Sequence, residues 1–389
     1  MKNILYTFLF TGLGYSATLA YTYFVLNTIP VEQIGELNRY ESFFAVLVSL
    51  ISLGIVQDAT RNIALTPKSW LSIYHSAQFF RLKFSFFIFL ICLILFLIYK
   101  DNIFLIGICG IPIALTGEYV FYALGRPIEG SIASFLRVSS YSALIIMSIY
   151  LFGELNIKIV ALAFAFSFLI CGLFVSLRLN ISFISFEYKH LKVNLFSIGF
   201  LAILIFFYNT FKPAYIFLIY ENLSKLDRVY YFEAFKIFFL LFSVRRVAVQ
   251  IFYKKIIRYP EKVQYDFYIS FIVIFILSIL WMVSLIINYL NLGIEGLSFD
   301  LLCDVSIMTV LMIVLPSSFT KLFALKKDFL IVAPVLIGMI IVIVGSSILK
   351  SFSVTVSYYL YLLGVTEFLM SIVSFIIIKN ISTNTSGKI

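Results

Sequence analysis

The sequence predicts an all-α polytopic membrane protein of about twelve transmembrane helices, arranged as two six-helix lobes with both termini on the cytoplasmic side. Three observations predict it. Hydrophobic residues make up 62% of the 389 residues and charged residues only 12%, against about 25% charged in an ordinary soluble domain. Apolar runs recur along the whole chain at the length a bilayer demands, about 20 residues of helix for a hydrocarbon core ~30 Å thick. Lys and Arg fall unevenly between alternate loops, as they do in chains with a defined orientation.

Taken in order, the runs are Ile4–Leu26, Tyr40–Ala64, Phe84–Tyr99, Ile103–Ala123, Val138–Phe152 and Ile157–Leu177 in the first half. Leu195–Ile219, Val229–Phe252, Phe267–Asn288, Leu302–Phe323, Phe329–Leu349 and Val356–Ile378 follow in the second. Charges, Gly and Pro separate them. The first run is too long for a secretory leader, lacks a small-x-small cleavage site and precedes eleven more spans, so it reads as a retained helix. Span three begins after Lys68, Arg81 and Lys83, and span five after Arg126 and Arg137. The longest polar interruption in mid-chain, Arg178–Asn194, divides the spans six and six. The expected organisation is therefore an N-terminal lobe 1–177, a cytoplasmic inter-lobe linker 178–194, a C-terminal lobe 195–378 and a cytoplasmic tail 379–389. A shift of 192 residues lays VEQIGELNRYESFFAVLVSL over LSKLDRVYYFEAFKIFFLLF and pairs Glu41 with Glu233. Each stands at the start of its half's second helix, which favours duplicated halves.

With the N-terminus inside, 20 of the 29 Lys and Arg lie in cytoplasmic loops and tails, six lie outside, and Arg61, Lys212 and Lys236 remain within spans. This asymmetry sets the N-in, C-in orientation. It also explains the net charge of +10. On a soluble protein that charge would suggest nucleic acid, but a mean hydropathy of +1.07 leaves too little polar surface for such a partner. Cys92, Cys109, Cys171 and Cys303 lie in apolar runs without a CxxC, and read as small buried hydrophobes. Two histidines, His75 and His190, argue against His-rich metal sites and most nucleophile–His–acid triads. No metal site, cofactor or catalytic group is expected.

After span one comes TIPVEQIGELNRY, and span two closes on SLGIVQDATRNIAL. This pattern, carried by Gly35, Gly54, Arg61 and Ala64, resembles the opening of bacterial polysaccharide repeat-unit flippases, the Wzx-type O-antigen transporters of the multidrug/oligosaccharidyl-lipid/polysaccharide (MOP) superfamily. LSKLDRVYYFEAFKI resembles the same helix start in the second half. The resemblance implies a MATE-like arrangement of two lobes around a central cavity. It implies alternating access that moves an undecaprenyl-diphosphate-linked oligosaccharide from the cytoplasmic to the periplasmic leaflet of the bacterial inner membrane. Polysaccharide polymerase and chain-length machinery are the partners this implies, and coupling to a proton or Na+ gradient the energy source.

An ionisable side chain within a span costs a few kcal/mol or more, so depth ranks the functional candidates. Glu367 lies near the middle of the last span, as a group coupled to proton or cation movement or as a carboxyl hydrogen-bonded between helices. Lys212 stands beside Pro213, which removes a backbone donor, and either meets an anionic substrate or snorkels to the outer interface. Asp58 and Arg61, three apart, share a helix face; Arg61 offers a planar fork to a diphosphate or pairs with Asp58. Arg245 and Arg246 lie at the cytoplasmic end of span eight, as part of a basic rim or as topology anchors. Glu233 and Lys236 repeat the three-residue spacing, and Glu118 follows Gly117 in span four; both sets read equally as coupling groups or local structure.

A drug or metabolite exporter of the same superfamily shares this architecture. A membrane polymerase or glycosyltransferase is disfavoured, because the outer loops are short and Glu32 and Glu36 are not adjacent.

Overall fold

A computed structural model describes residues 2–52, 54–183, 223–258, 262, 264–289, 299–324, 328–352 and 355–386. The chain divides into two units, Met1–Ala214 and Tyr215–Ile389. Among the described residues every regular element is helical. Among the described residues seven spans are long and apolar enough to cross a membrane, and Glu32–Ser52 with Ile55–Leu65 is an eighth if the pair, bent by 50°, is one span. The predicted seventh span, Leu195–Ile219, lies outside the described residues.

In the first unit α1 (Lys2–Thr28) ends at the Ile29-Pro30 step, where the residue before proline is driven out of helical geometry. Helix α2 (Val31–Ser52) starts directly after Pro30, earlier than hydropathy alone suggests. Gly54 then takes φ 70°, in the left-handed region that favours glycine, and the chain turns into α3 (Ile55–Leu65). Helix α4 (Trp70–Tyr99) is 30 residues long and begins fourteen residues before the predicted Phe84. The fourth span is broken. It comprises α5 (Ile103–Ile108), a 3-10 turn Ile111–Leu115, an extended residue Thr116 and α6 (Glu118–Leu124). Helix α7 (Pro127–Phe152) opens on a first-turn proline and closes on Gly153 in the left-handed conformation. In α8 (Ile157–Leu179) the Asn156 side chain accepts from the Lys158 N–H at 2.9 Å, as an N-cap does.

The second unit contains α9 (Lys225–Arg258), α10 (Gln264–Tyr289), α11 (Phe299–Ile313), α12 (Ser318–Ala324), α13 (Val332–Ser351) and α14 (Val356–Ser386). Here too the predicted span Leu302–Phe323 is broken, between α11 and α12. The break holds Pro316, and Leu315 adopts φ 53°.

Helix packing follows the apolar and small faces. Helix α7 packs along α1 and α8, and α14 along α11 and α13. The first unit's interior holds Phe121, Ala133, Cys171 and Val175, all fully buried. An aromatic stack runs from Phe44 against Phe164, 3.7 Å between ring centroids, to Tyr141 at 4.4 Å from Phe164. Large apolar side chains such as Leu97, Tyr150, Leu177, Phe267 and Phe271 stand exposed on the outer faces of long apolar helices, the arrangement expected where lipid is the solvent.

Candidate functional site

Helix breaks inside a membrane leave backbone groups that must find partners within the protein. In the first unit the partner is Arg81, in the twelfth position of α4 and 2% exposed. Its guanidinium donates to the carbonyls of Ile113 and Thr116, each at 2.6 Å, and to Thr116 Oγ1 at 3.0 Å. The chain passes the break at Gly117, where a Cβ would stand 2.7 Å from Tyr74 Cε2. Nearby, Gln78 donates to Tyr74 Oη at 3.2 Å and to the Phe183 carbonyl at 3.0 Å.

The second unit solves the same problem with the same helix of its own half and different chemistry. Asp266 in the first turn of α10 accepts from the Ser317 N–H at 2.8 Å and from Ser317 Oγ at 2.6 Å, and it pairs with Lys321. Ser270 on α10 donates to the Ile313 carbonyl at 2.8 Å, and Arg245 on α9 donates to the Met312 carbonyl at 3.1 Å. In each half the third span holds the break of the fourth, a correspondence of the kind duplicated halves produce. Hydropathy reading missed both breaks. The signal was present as Gly107, Gly110, Pro112 and Gly117 in span four and Pro316 in span ten.

The predicted charges occupy the following places. Arg61 and Asp58 pair on α3, Nη2 to Oδ1 at 2.5 Å, and Asn62 donates to the other Asp58 oxygen at 2.9 Å. Glu367 is 2% exposed and meets Arg245 at 3.1 Å. Sequence spacing had set these two apart, as a coupling carboxylate and a cytoplasmic rim cation; the fold of α14 against α9 brings them together. Arg245 also lies over the Phe242 ring, 5.0 Å from its centroid. Arg246 points outward and is exposed. Glu233 is half-buried, and Lys236 lies 5.0 Å over the Phe232 ring. Glu118 opens α6, 3.9 Å from Arg137, and accepts from Cys171 Sγ at 3.7 Å. Lys212 lies outside the described residues.

Arg81 and Arg137 were placed in cytoplasmic loops by their charge. Both belong to helices, because α4 and α7 begin well before the predicted spans.

Two carboxylates absent from the expected set are held by hydroxyls. Glu41 Oε1 accepts from Tyr21 Oη at 2.9 Å and Tyr141 Oη at 3.0 Å. Asp304 accepts from Tyr230 Oη at 2.7 Å, from Ser357 Oγ at 2.6 Å and from Tyr361 Oη. Their partners come from helices remote in sequence, so spacing held no sign of either cluster. Among the described residues no three His, Cys, Asp or Glu side chains form a metal-binding group.

The fold is similar to those of solved MATE transporters. A MATE structure in the straight conformation matches with a TM-score of 0.68 at 12% identity, covering 96% of this chain and 94% of that one. An outward-facing multidrug resistance MATE family transporter of the MOP superfamily matches at 0.62 and 14% identity, again covering 96% and 94%. A MOP superfamily transporter from Pyrococcus furiosus matches at 0.59 and 14% identity, over the same shares. No protein-family model and no curated protein matches the chain. The chain is an all-α, multi-pass membrane protein whose fold is of the MATE type.

Proposed function

We propose that this protein is a transporter that flips an undecaprenyl-diphosphate-linked oligosaccharide from the cytoplasmic to the periplasmic leaflet of the bacterial inner membrane. The observation that carries the reading is the placement of cations in the first unit. Arg61 lies on α3, and Arg81 and Arg137 lie well inside α4 and α7, helices that by the charge asymmetry begin on the side where Lys and Arg predominate, the side on which a diphosphate-linked substrate is loaded. Glu41, held by tyrosines, lies at the middle of α2. Arginine's planar donor fork suits phosphate oxygens. A bilayer interior makes each such cation expensive unless it serves a polar pathway or a structural bond. The resemblance at Gly35, Gly54, Arg61 and Ala64 supports the same reading.

Coupling to a proton or Na+ gradient belongs to this proposal. Glu367 is ill suited to it, since its carboxylate is already paired with Arg245 at 3.1 Å. Glu41 and Asp304 suit it better, because hydroxyl donors can rotate away when a proton or cation arrives. Polymerase and chain-length machinery remain the expected partners downstream.

The test is complementation of a strain lacking its own flippase, scored by surface polysaccharide. Restored glycan is expected. Arg61→Ala and Lys212→Ala are expected to abolish it at unchanged protein level, and full activity in both would remove them from the mechanism. A second reading, export of a drug or small metabolite, draws support from the likeness to multidrug MATE structures. It requires drug resistance on expression and no effect on glycan.

A further inference from the structure

The arginines on the membrane helices differ in what already occupies them. Arg81 is 2% exposed and its guanidinium is committed to the carbonyls of the span-four break. The Arg61 side chain is 10% exposed and bonded to Asp58 at 2.5 Å. The Arg245 side chain is 8% exposed and shared between Glu367 and the Met312 carbonyl. Arg137 differs in each respect. Its side chain is 29% exposed, and the Glu118 carboxylate opposite it stands at 3.9 Å, beyond hydrogen-bond distance, and is itself 21% exposed. As with Arg81, its Nε is buried with no hydrogen-bond acceptor.

We propose that Arg137 is the anion-binding residue of the first unit, taking phosphate oxygens of the diphosphate-bearing substrate, and that Glu118 is the group the substrate displaces. The inference rests on the flippase reading above. Arg137 lies ten residues along α7 from Pro127, which is about 15 Å of helix. That depth is close to the middle of a bilayer core, where a lipid-facing arginine is costly, so its exposed part faces a polar space. The Phe168 ring covers one face of the guanidinium at 5.0 Å. The in-plane N–H groups are thereby left for a bidentate acceptor such as two phosphate oxygens. Displacing Glu118 breaks no hydrogen bond to Arg137, and the Cys171 thiol still donates to the other carboxylate oxygen, so what the phosphate must replace is the charge attraction alone. Arg81 enters as a positioning residue: by holding the Thr116 carbonyl it sets where Glu118 begins α6.

The test uses the full chain in lipid nanodiscs, with geranylgeranyl diphosphate as probe and geranylgeraniol as its phosphate-free counterpart. The wild type is expected to bind the diphosphate and not the alcohol at equal concentration. Arg137→Ala is expected to weaken binding about tenfold or more, the worth of one charge-assisted hydrogen bond, and Arg137→Lys to restore part of it. Glu118→Gln is expected to tighten binding, a gain that misfolding cannot mimic. Absence of diphosphate binding in the wild type overturns the flippase reading itself. Wild-type binding that Arg137→Ala and Glu118→Gln both leave unchanged, or that Glu118→Gln weakens, overturns only the role assigned to this pair.

Discussion

Arg81 and the Arg245–Glu367 pair carry charge for structural reasons, and at the residue scale they make strong predictions. Arg81→Ala removes the guanidinium donor from the Thr116 carbonyl and leaves the Ile113 carbonyl only its bonds from Thr116, at about 1–3 kcal/mol for an unsatisfied buried group. A fall in melting temperature of the detergent-solubilised protein is expected, with Arg81→Lys recovering only part of it because a single ammonium cannot reproduce the fork. Arg245→Ala leaves a buried carboxylate unpaired, which costs about 3–5 kcal/mol. The double variant Arg245→Met with Glu367→Met is expected to be more stable than Arg245→Ala alone, since two apolar side chains leave no orphaned charge. A double variant less stable than the single one would assign the pair a role other than mutual neutralisation.

Broken spans dominate at the scale of the element. The 50° bend between α2 and α3 needs Gly54 at φ 70°, and Gly54→Ala forces a side chain into the left-handed region at about 1–2 kcal/mol. Gly117→Ala is the harsher change, because its Cβ would meet Tyr74 Cε2 at 2.7 Å and Val175 Cγ1 at 3.1 Å. Overpacking of this kind costs about 1–3 kcal/mol. Trimming Tyr74 to Leu in the Gly117→Ala background is expected to recover thermal stability. No recovery would place the cause in the backbone rather than in the aromatic contact.

The whole-molecule prediction is topological. A cysteine introduced at Glu154, on the outer side by the charge asymmetry, is expected to react with an impermeant maleimide in intact cells. One at Lys68 is expected to react only after permeabilisation, both in a background without native cysteines. The reverse pattern would invert the orientation and with it the side on which Arg61 and Arg137 meet substrate. At this scale the hydrophobic runs alone disclosed a multi-pass helical protein and most of its spans. They misplaced the starts of α4 and α7, because an apolar window is ended by any arginine, and it cannot tell one bonded inside the bundle from one in water. They also joined α5 to α6 and α11 to α12, because a window average passes over a break of a few residues.

What the sequence determined by itself is the apolar solvent and the helical class, and its loops supply the expected orientation. These depend on how many apolar residues run together and on which loops hold Lys and Arg, both of which are local quantities. Only the tertiary structure decided which charges are available for chemistry. Arg245 and Glu367 are 122 residues apart, and Glu41 and Tyr141 are 100 apart; whether such groups neutralise one another depends on helix packing that no spacing encodes. The same packing leaves Arg137 part-exposed with Glu118 at 3.9 Å, while Arg61, Arg81 and Arg245 are each hydrogen-bonded within the protein. In a low-dielectric interior, that difference in partners separates a structural charge from one that can meet a substrate.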